Sequence, residues 1–226
     1  KISPSGHHAS PGGRSHQRDH AMPRRTKAEA EATREALLDA AEDVFLDKGV
    51  SRTSLEHIAR HAGMTRGAVY WHFKNKADLF HAMLDRVKMP LQQIIDDITA
   101  ERQTLGPLDT LRLATLHAFE MLERPRSCRV HTILMHRCEF ISDINPVELQ
   151  NRLASECREV VRRCFQQAHD DGLLIDDIQP DVATLMLHSM IGGLVHDWLR
   201  APDSFSLRES GGEAIDNLFY LVTRRP

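Results

Sequence analysis

The chain has 226 residues, 41% of them hydrophobic, and a formal net charge of -3, which is enough apolar material for a sizeable core and excludes a disordered polymer. No apolar run approaches the roughly 18–20 residues needed to cross a bilayer, and residues 1–21 lack the apolar stretch of a secretory signal, so the chain is expected in the cytoplasm. Cys128, Cys138, Cys157 and Cys164 have no C-x-x-C spacing, which speaks against a zinc ribbon or a disulfide framework and for buried reduced thiols.

Lys1–Ala21 is rich in Ser, Pro, Gly and His and has no periodic apolar residues, so it is expected to be mobile, with its histidines incidental to any metal. Residues 22–88 carry 12 basic and 10 acidic side chains, whereas residues 89–226 carry 14 and 21; the front of the chain is net positive and the rest net negative, so a polyanionic partner would meet the front. A first helix is predicted from Thr33, with Leu37, Ala40, Ala41, Val44 and Phe45 on one face and Gly49 as its stop. Thr53-Ser54-Leu55-Glu56 reads as a capping box, Thr53 taking the amide of Glu56, for a second helix through Ile58 and Ala62 to Gly63. Thr65 caps a third helix that ends by Phe73, and Asn75-Lys76-Ala77-Asp78 caps a fourth carrying Leu79, Phe80, Met83, Leu84 and Val87. Pro90 interrupts that pattern with a kink or a break. Further helices are predicted at 91–102, 108–123, 127–140, 146–171, 181–200 and 207–223, with no strand alternation anywhere. The fold class is therefore all-α, read as an extension (1–21), a small front unit (22–76) joined by a long fourth helix, and a larger unit (77–226).

Two short helices, 54–62 and 65–73, separated by a glycine-bearing turn form a helix-turn-helix, whose second helix enters the major groove. At about 100° per residue, Ala68, Val69 and His72 share one arc while Arg66, Gly67, Tyr70 and Trp71 point away from it. An exposed Arg-Tyr-Trp cluster on a short helix needs a partner. Arg66 is the candidate base reader, because its fork matches both guanine acceptors. Gly67 lets backbone approach the groove closely, at the cost of helix stability. Tyr70, Lys74 and Lys76, with the amides that open the fourth helix, are candidate phosphate contacts. Arg24, Arg25 and Lys27 form an arm ahead of the first helix. Core packing is the alternative for these aromatics, and it is accepted for Phe73.

The run from Thr53-Ser54-Leu55 through Ala62-Gly63-Met64-Thr65-Arg66-Gly67-Ala68-Val69-Tyr70-Trp71-His72-Phe73-Lys74-Asn75-Lys76 resembles the DNA-binding signature of the TetR family of one-component repressors. The segment Arg129–Phe140 is similar to the multidrug-efflux repressors of the AcrR and TtgR type. The resemblance implies about nine helices and DNA contacts from Tyr70, Trp71, His72 and Lys76, with Arg66 and Gly67 near base edges; Ser54 and Thr65 complete the candidate set. It also implies repression of a multidrug efflux pump and release by hydrophobic or drug-like inducers.

The roughly 135 residues after Pro90 exceed what reading DNA requires, so sensing and dimerisation are assigned to them. Polar groups amid apolar neighbours make His117, Glu120, His136 and Glu139 candidate ligand contacts, with Phe140 and Met190 as walls. His136 and Glu139 are expected to form a local hydrogen bond or ion pair rather than a metal site, and no cofactor is called for. The last two helices present Leu185, Ser189, Gly193, Leu218 and Val222 at helical spacing, and the resemblance points to a four-helix interface between two copies. An enzyme is the rival from another class, but there is no nucleophile elbow or phosphate loop, and His136 and Cys138 fall on opposite sides of a helix. A DNA-architectural protein without a ligand is the second rival, which a solid interior favours.

Overall fold

The structure, a computed structural model, describes residues 27–141 and 143–224; the tail 1–21 and two arginines of the expected arm lie outside them. The described residues form ten α-helices, two π-helical turns and no strand. Helices α1 (Lys27–Lys48), α2 (Leu55–His61), α3 (Arg66–His72) and α4 (Lys76–Asp85) make the front unit. Behind it come α5 (Leu91–Glu101), α6 (Pro107–Leu122), α7 (Pro125–Thr132) with a π turn at Ile133–Arg137, α8 (Pro146–Asp170), α9 (Pro180–Arg200), a second π turn at Leu207–Gly211, and α10 (Gly212–Val222).

Several boundaries differ from the sequence reading. α1 begins at Lys27 rather than Thr33, because Ala28, Ala30 and Ala32 favour helix without needing an apolar stripe; Lys27 is helical and not part of an arm. The long fourth helix is broken near Pro90, as the sequence pattern anticipates, and the described residues form ten helices, as many as the predicted segments, where the resemblance implies about nine. α4 stops at Asp85, ahead of Val87, and Pro90 becomes the N-cap of α5, since proline cannot donate to the preceding turn. The helix expected to run to Phe140 ends at Arg137.

Capping shows why the short helices start where they do. Ser54, not Thr53, is the N-cap of α2: its hydroxyl accepts from the His57 amide at 3.2 Å, and the Ser54 amide donates to His57 Nδ1 at 3.4 Å. The Thr53 hydroxyl is turned away from α2, donating to the Gly49 carbonyl of the α1–α2 loop at 2.8 Å. Thr65 caps α3 by accepting from the Ala68 amide. Asn75 caps α4 by accepting from the Asp78 amide at 2.8 Å, while Asp78 accepts from the Lys74 amide at 2.9 Å. Asn75→Ala is expected to lose about 1 kcal/mol of stability, seen as a lower urea midpoint at unchanged slope.

Two apolar cores result. The first gathers Leu37, Phe45, Ile58, Val69, Phe73, Phe80 and Met83 from the front unit and adds Val130, Ile133, Leu134, Ile144 and Leu149 from behind it. The second lies among α5, α6, α8, α9 and α10 around Leu111, Phe119, Phe165, Leu187 and Phe219. The front unit is thus packed onto α7 and the start of α8 rather than tethered to them. No helix among the described residues is long and apolar enough to cross a membrane.

Candidate nucleic-acid interface

α3 is fixed from inside by Val69 and Phe73, which are fully buried, and it turns its other side outward. The facing follows the 100° reckoning: Arg66, Gly67, Tyr70 and Trp71 are exposed, while Ala68 and His72 are half-buried. Trp71 is 71% exposed, an unusual placement for the largest apolar side chain unless something covers it. Its ring meets the His72 ring edge-on at 4.5 Å.

Arg66 and Tyr70 act as one unit. The guanidinium lies 5.4 Å from the Tyr70 ring centroid, and both groups converge on Glu56 of α2: Arg66 Nε at 3.1 Å and the Tyr70 hydroxyl at 3.2 Å from the same carboxylate oxygen. The Glu56 carboxyl is held below the ordinary carboxylate range, first by its own backbone amide and then, against some loss of hydration, by the Ser54 hydroxyl, the Tyr70 phenol and Arg66. Sequence reasoning gave Glu56 only a capping role, since its partners are 10 and 14 residues away. A side chain placed at Gly67 would meet only the Thr65 hydroxyl, at 3.9 Å. The bare backbone there serves no packing within the chain and leaves room for an approaching surface.

Lys74 is exposed at the end of α3. Lys76 is placed otherwise: its ammonium donates to the carbonyls of Val50 at 2.6 Å, Thr53 at 2.8 Å and Ser51 at 3.3 Å, which takes up its three protons. Burial pushes this ammonium below the usual lysine range. Lys76 thereby ties the start of α4 to the α1–α2 loop. Ser54, as the α2 cap, is half-buried, and Thr65 is exposed at the head of α3.

The other candidate residues are scattered. His117 and Glu120 are exposed on α6, and Phe140 is 70% exposed. The expected His136–Glu139 pair does not form, because the segment leaves its helix at Arg137: the His136 ring faces His196 of α9 at 5.3 Å, and Glu139 accepts from the Ser51 hydroxyl at 2.8 Å. Met190 packs half-buried against the second core. Of two cavities, one of about 520 Å³ is lined by Glu123, Pro125, Cys128, Trp198 and Phe205 among others. The second, about 330 Å³, lies between α5, α6 and α8, with Ile95, Leu105, Val160, Arg163 and Cys164 in its walls. None of the sequence-selected ligand residues lines either one.

On the last two helices, Leu185, Ser189 and Gly193 are exposed, but Leu218 and Val222 are buried in the chain's own core. The outward apolar residues of α10 are Tyr220 and Leu221. The helical period locates a stripe without saying which stripe faces inward. The four cysteines are half-buried rather than buried, and partial burial pushes the Cys157 and Cys164 thiols up and Cys138 up to about 11. Among the described residues no group of three or more His, Cys, Asp or Glu side chains is placed to hold a metal.

Comparison with known proteins agrees with this geometry. Residues 37–83 match the model of bacterial regulatory proteins of the tetR family, and residues 106–223 match the C-terminal region of MAATS-type transcriptional repressors. The chain is 36% identical over 188 residues to the HTH-type transcriptional regulator TtgR of Pseudomonas putida, covering 82% of this chain and 89% of that one. The crystal structure of NalD, the secondary repressor of the MexAB-OprM multidrug efflux pump in Pseudomonas aeruginosa, superposes with a TM-score of 0.76 at 40% identity, covering 88% of this chain and all of that one. The SmeT–triclosan complex matches with a TM-score of 0.72 at 34% identity over 85% of this chain and 92% of that one. The chain belongs to the TetR family of bacterial transcriptional regulators, and it is not an enzyme.

Proposed function

We propose that this protein is a repressor that binds a palindromic operator as a homodimer in the cytoplasm, controls a multidrug efflux pump, and is released from DNA by hydrophobic or drug-like ligands. The observation that carries the reading is α3, with Arg66, Tyr70 and Trp71 turned outward from a buried Val69–Phe73 anchor. Relatives that repress efflux pumps, NalD among them, supply the physiological setting. Arg66 reads base edges; Tyr70, Trp71, His72 and Lys74 hold the backbone; Lys76 contributes by shaping the loop ahead of α2.

The ligand's place is the cavity between α5, α6 and α8, where apolar walls are joined by Thr99, Arg163 and Gln167, the mixture a drug-sized site uses. Occupancy releases DNA only to the extent that ligand prefers the off-DNA form, typically a five- to 150-fold coupling. Triclosan, the compound in the SmeT complex, is the probe: titrated into the protein with an operator duplex selected from a random pool, it is expected to raise the operator Kd about tenfold or more. Calorimetric saturation by triclosan and other hydrophobic compounds with unchanged DNA affinity would remove the release model.

A further inference from the structure

The junction between the front unit and α7 contains a knot of ionised side chains. Glu42 of α1 is fully buried, and its two carboxylate oxygens are held from different directions: Arg86, just past α4, reaches one oxygen at 2.7 Å, and Arg129 of α7 reaches the other at 2.7 Å. Arg126 of α7 approaches Glu42 at 3.5 Å and donates to Asp39 at 2.8 Å; Arg86 also donates to Asp39 at 2.6 Å and pairs with Glu35 at 3.0 Å. Partial burial alone would raise the Asp39 carboxyl, yet Arg86 and Arg126 hold it below its ordinary range. Eight residues beyond Arg129, the Arg137 carbonyl accepts from the Val50 amide at 2.9 Å, and Glu139 binds Ser51. Lys76 grips that same loop from the other side.

A buried ionic cluster is seldom the most stabilising way to fill a junction, since apolar side chains of similar volume do as well or better. What such a cluster supplies is register: a carboxylate captured by two forks sits in one arrangement, and a small shift of either helix breaks contacts rather than stretching them.

We propose that Glu42 is the positioning residue of the reading head, locking α1 to α7 through Arg129 and Arg126 so that α7 and the helix-turn-helix move as one body. Events at the DNA face then reach α7, and events at α7 reach the DNA face, by the same linkage. The inference rests on the DNA-binding reading but not on any ligand.

Hydrogen exchange on the full chain, with and without the selected operator duplex, tests it. In the wild type, DNA is expected to slow exchange at α2–α3 amides and also at Cys128–Arg137, the latter by about fivefold or more. In Arg126→Gln/Arg129→Gln, whose substituted side chains are both partly exposed, protection at α2–α3 persists and that at Cys128–Arg137 is lost; Arg129→Lys with Arg126 intact restores part of it. Protection of α2–α3 without α7 in the wild type, or α7 protection unchanged in the double variant, overturns the proposal. Absence of protection at α2–α3 in the wild type would instead mark failure of the DNA-binding reading, and the coupling with it.

Discussion

Arg66→Ala and Tyr70→Ala are expected to abolish tight operator binding while leaving the protein folded. Arg66 is mostly exposed, with its ion pair to Glu56 and its ring contact to Tyr70 both at the surface, so the first core, which takes Val69 and Phe73, does not depend on it. A bidentate arginine–guanine pair is worth about 1–3 kcal/mol, and a two-fold dimer loses it at both half-sites, so Arg66→Ala should weaken binding by about 2–6 kcal/mol, close to thirtyfold at the low end. Tyr70→Ala removes a phosphate contact and the ring that orients the guanidinium, so the two losses should be less than additive. In free protein Glu56 competes for Arg66, but a solvated pair is weak and screened by salt. Anisotropy titrations with the selected duplex, alongside thermal melts, check the expectation. Arg66→Ala with unimpaired sequence discrimination would mean that α3 does not read bases through this residue.

What was legible in the sequence, and what was not, divides along range. Val69 inward with Arg66 and Tyr70 outward follows from helical geometry over a few residues, and the Thr65 and Asn75 caps need only their next three neighbours; Phe73, seven residues after Arg66 and so on its side of a continued helix, turns inward because the chain leaves α3 there in an extended conformation. The capping box is shifted by one residue, to Ser54, because the Thr53 side chain is turned toward Gly49, a contact within a loop whose shape no periodicity encodes. Lys76 reads as a phosphate contact from its place with Lys74 at the start of a helix; its engagement with the α1–α2 loop depends on a fold-back of about 25 residues. Glu42 carries the same lesson further, since the partner that makes its burial tolerable lies 87 residues away. Polar groups amid apolar ones do not by themselves mark a ligand site, since that pattern fits an outward His117 or Glu120 as well as an inward one.

The same ambiguity of face gives the dimer reading its sharpest test. α9 turns Val182, Leu185, Ser189, Gly192 and Gly193 outward, and α10 turns out Tyr220 and Leu221; a Cβ at either glycine of α9 would meet nothing within its own chain, so another backbone has room to approach there. Leu185→Arg adds a charge on this face without touching either core, and Leu218→Arg, one helix away, forces a charge into the second core. The first is expected to give a folded 25.7 kDa monomer and the second to unfold the chain. Joining two reading heads makes the second half-site contact intramolecular, a gain of about 10²–10⁴ in affinity, so the Leu185→Arg monomer should lose that factor on the full operator and nothing on an isolated half-site. Sedimentation velocity together with titrations on both duplexes separates these outcomes. A Leu185→Arg protein that stays dimeric and binds the full operator undiminished would move the interface off the α9 face.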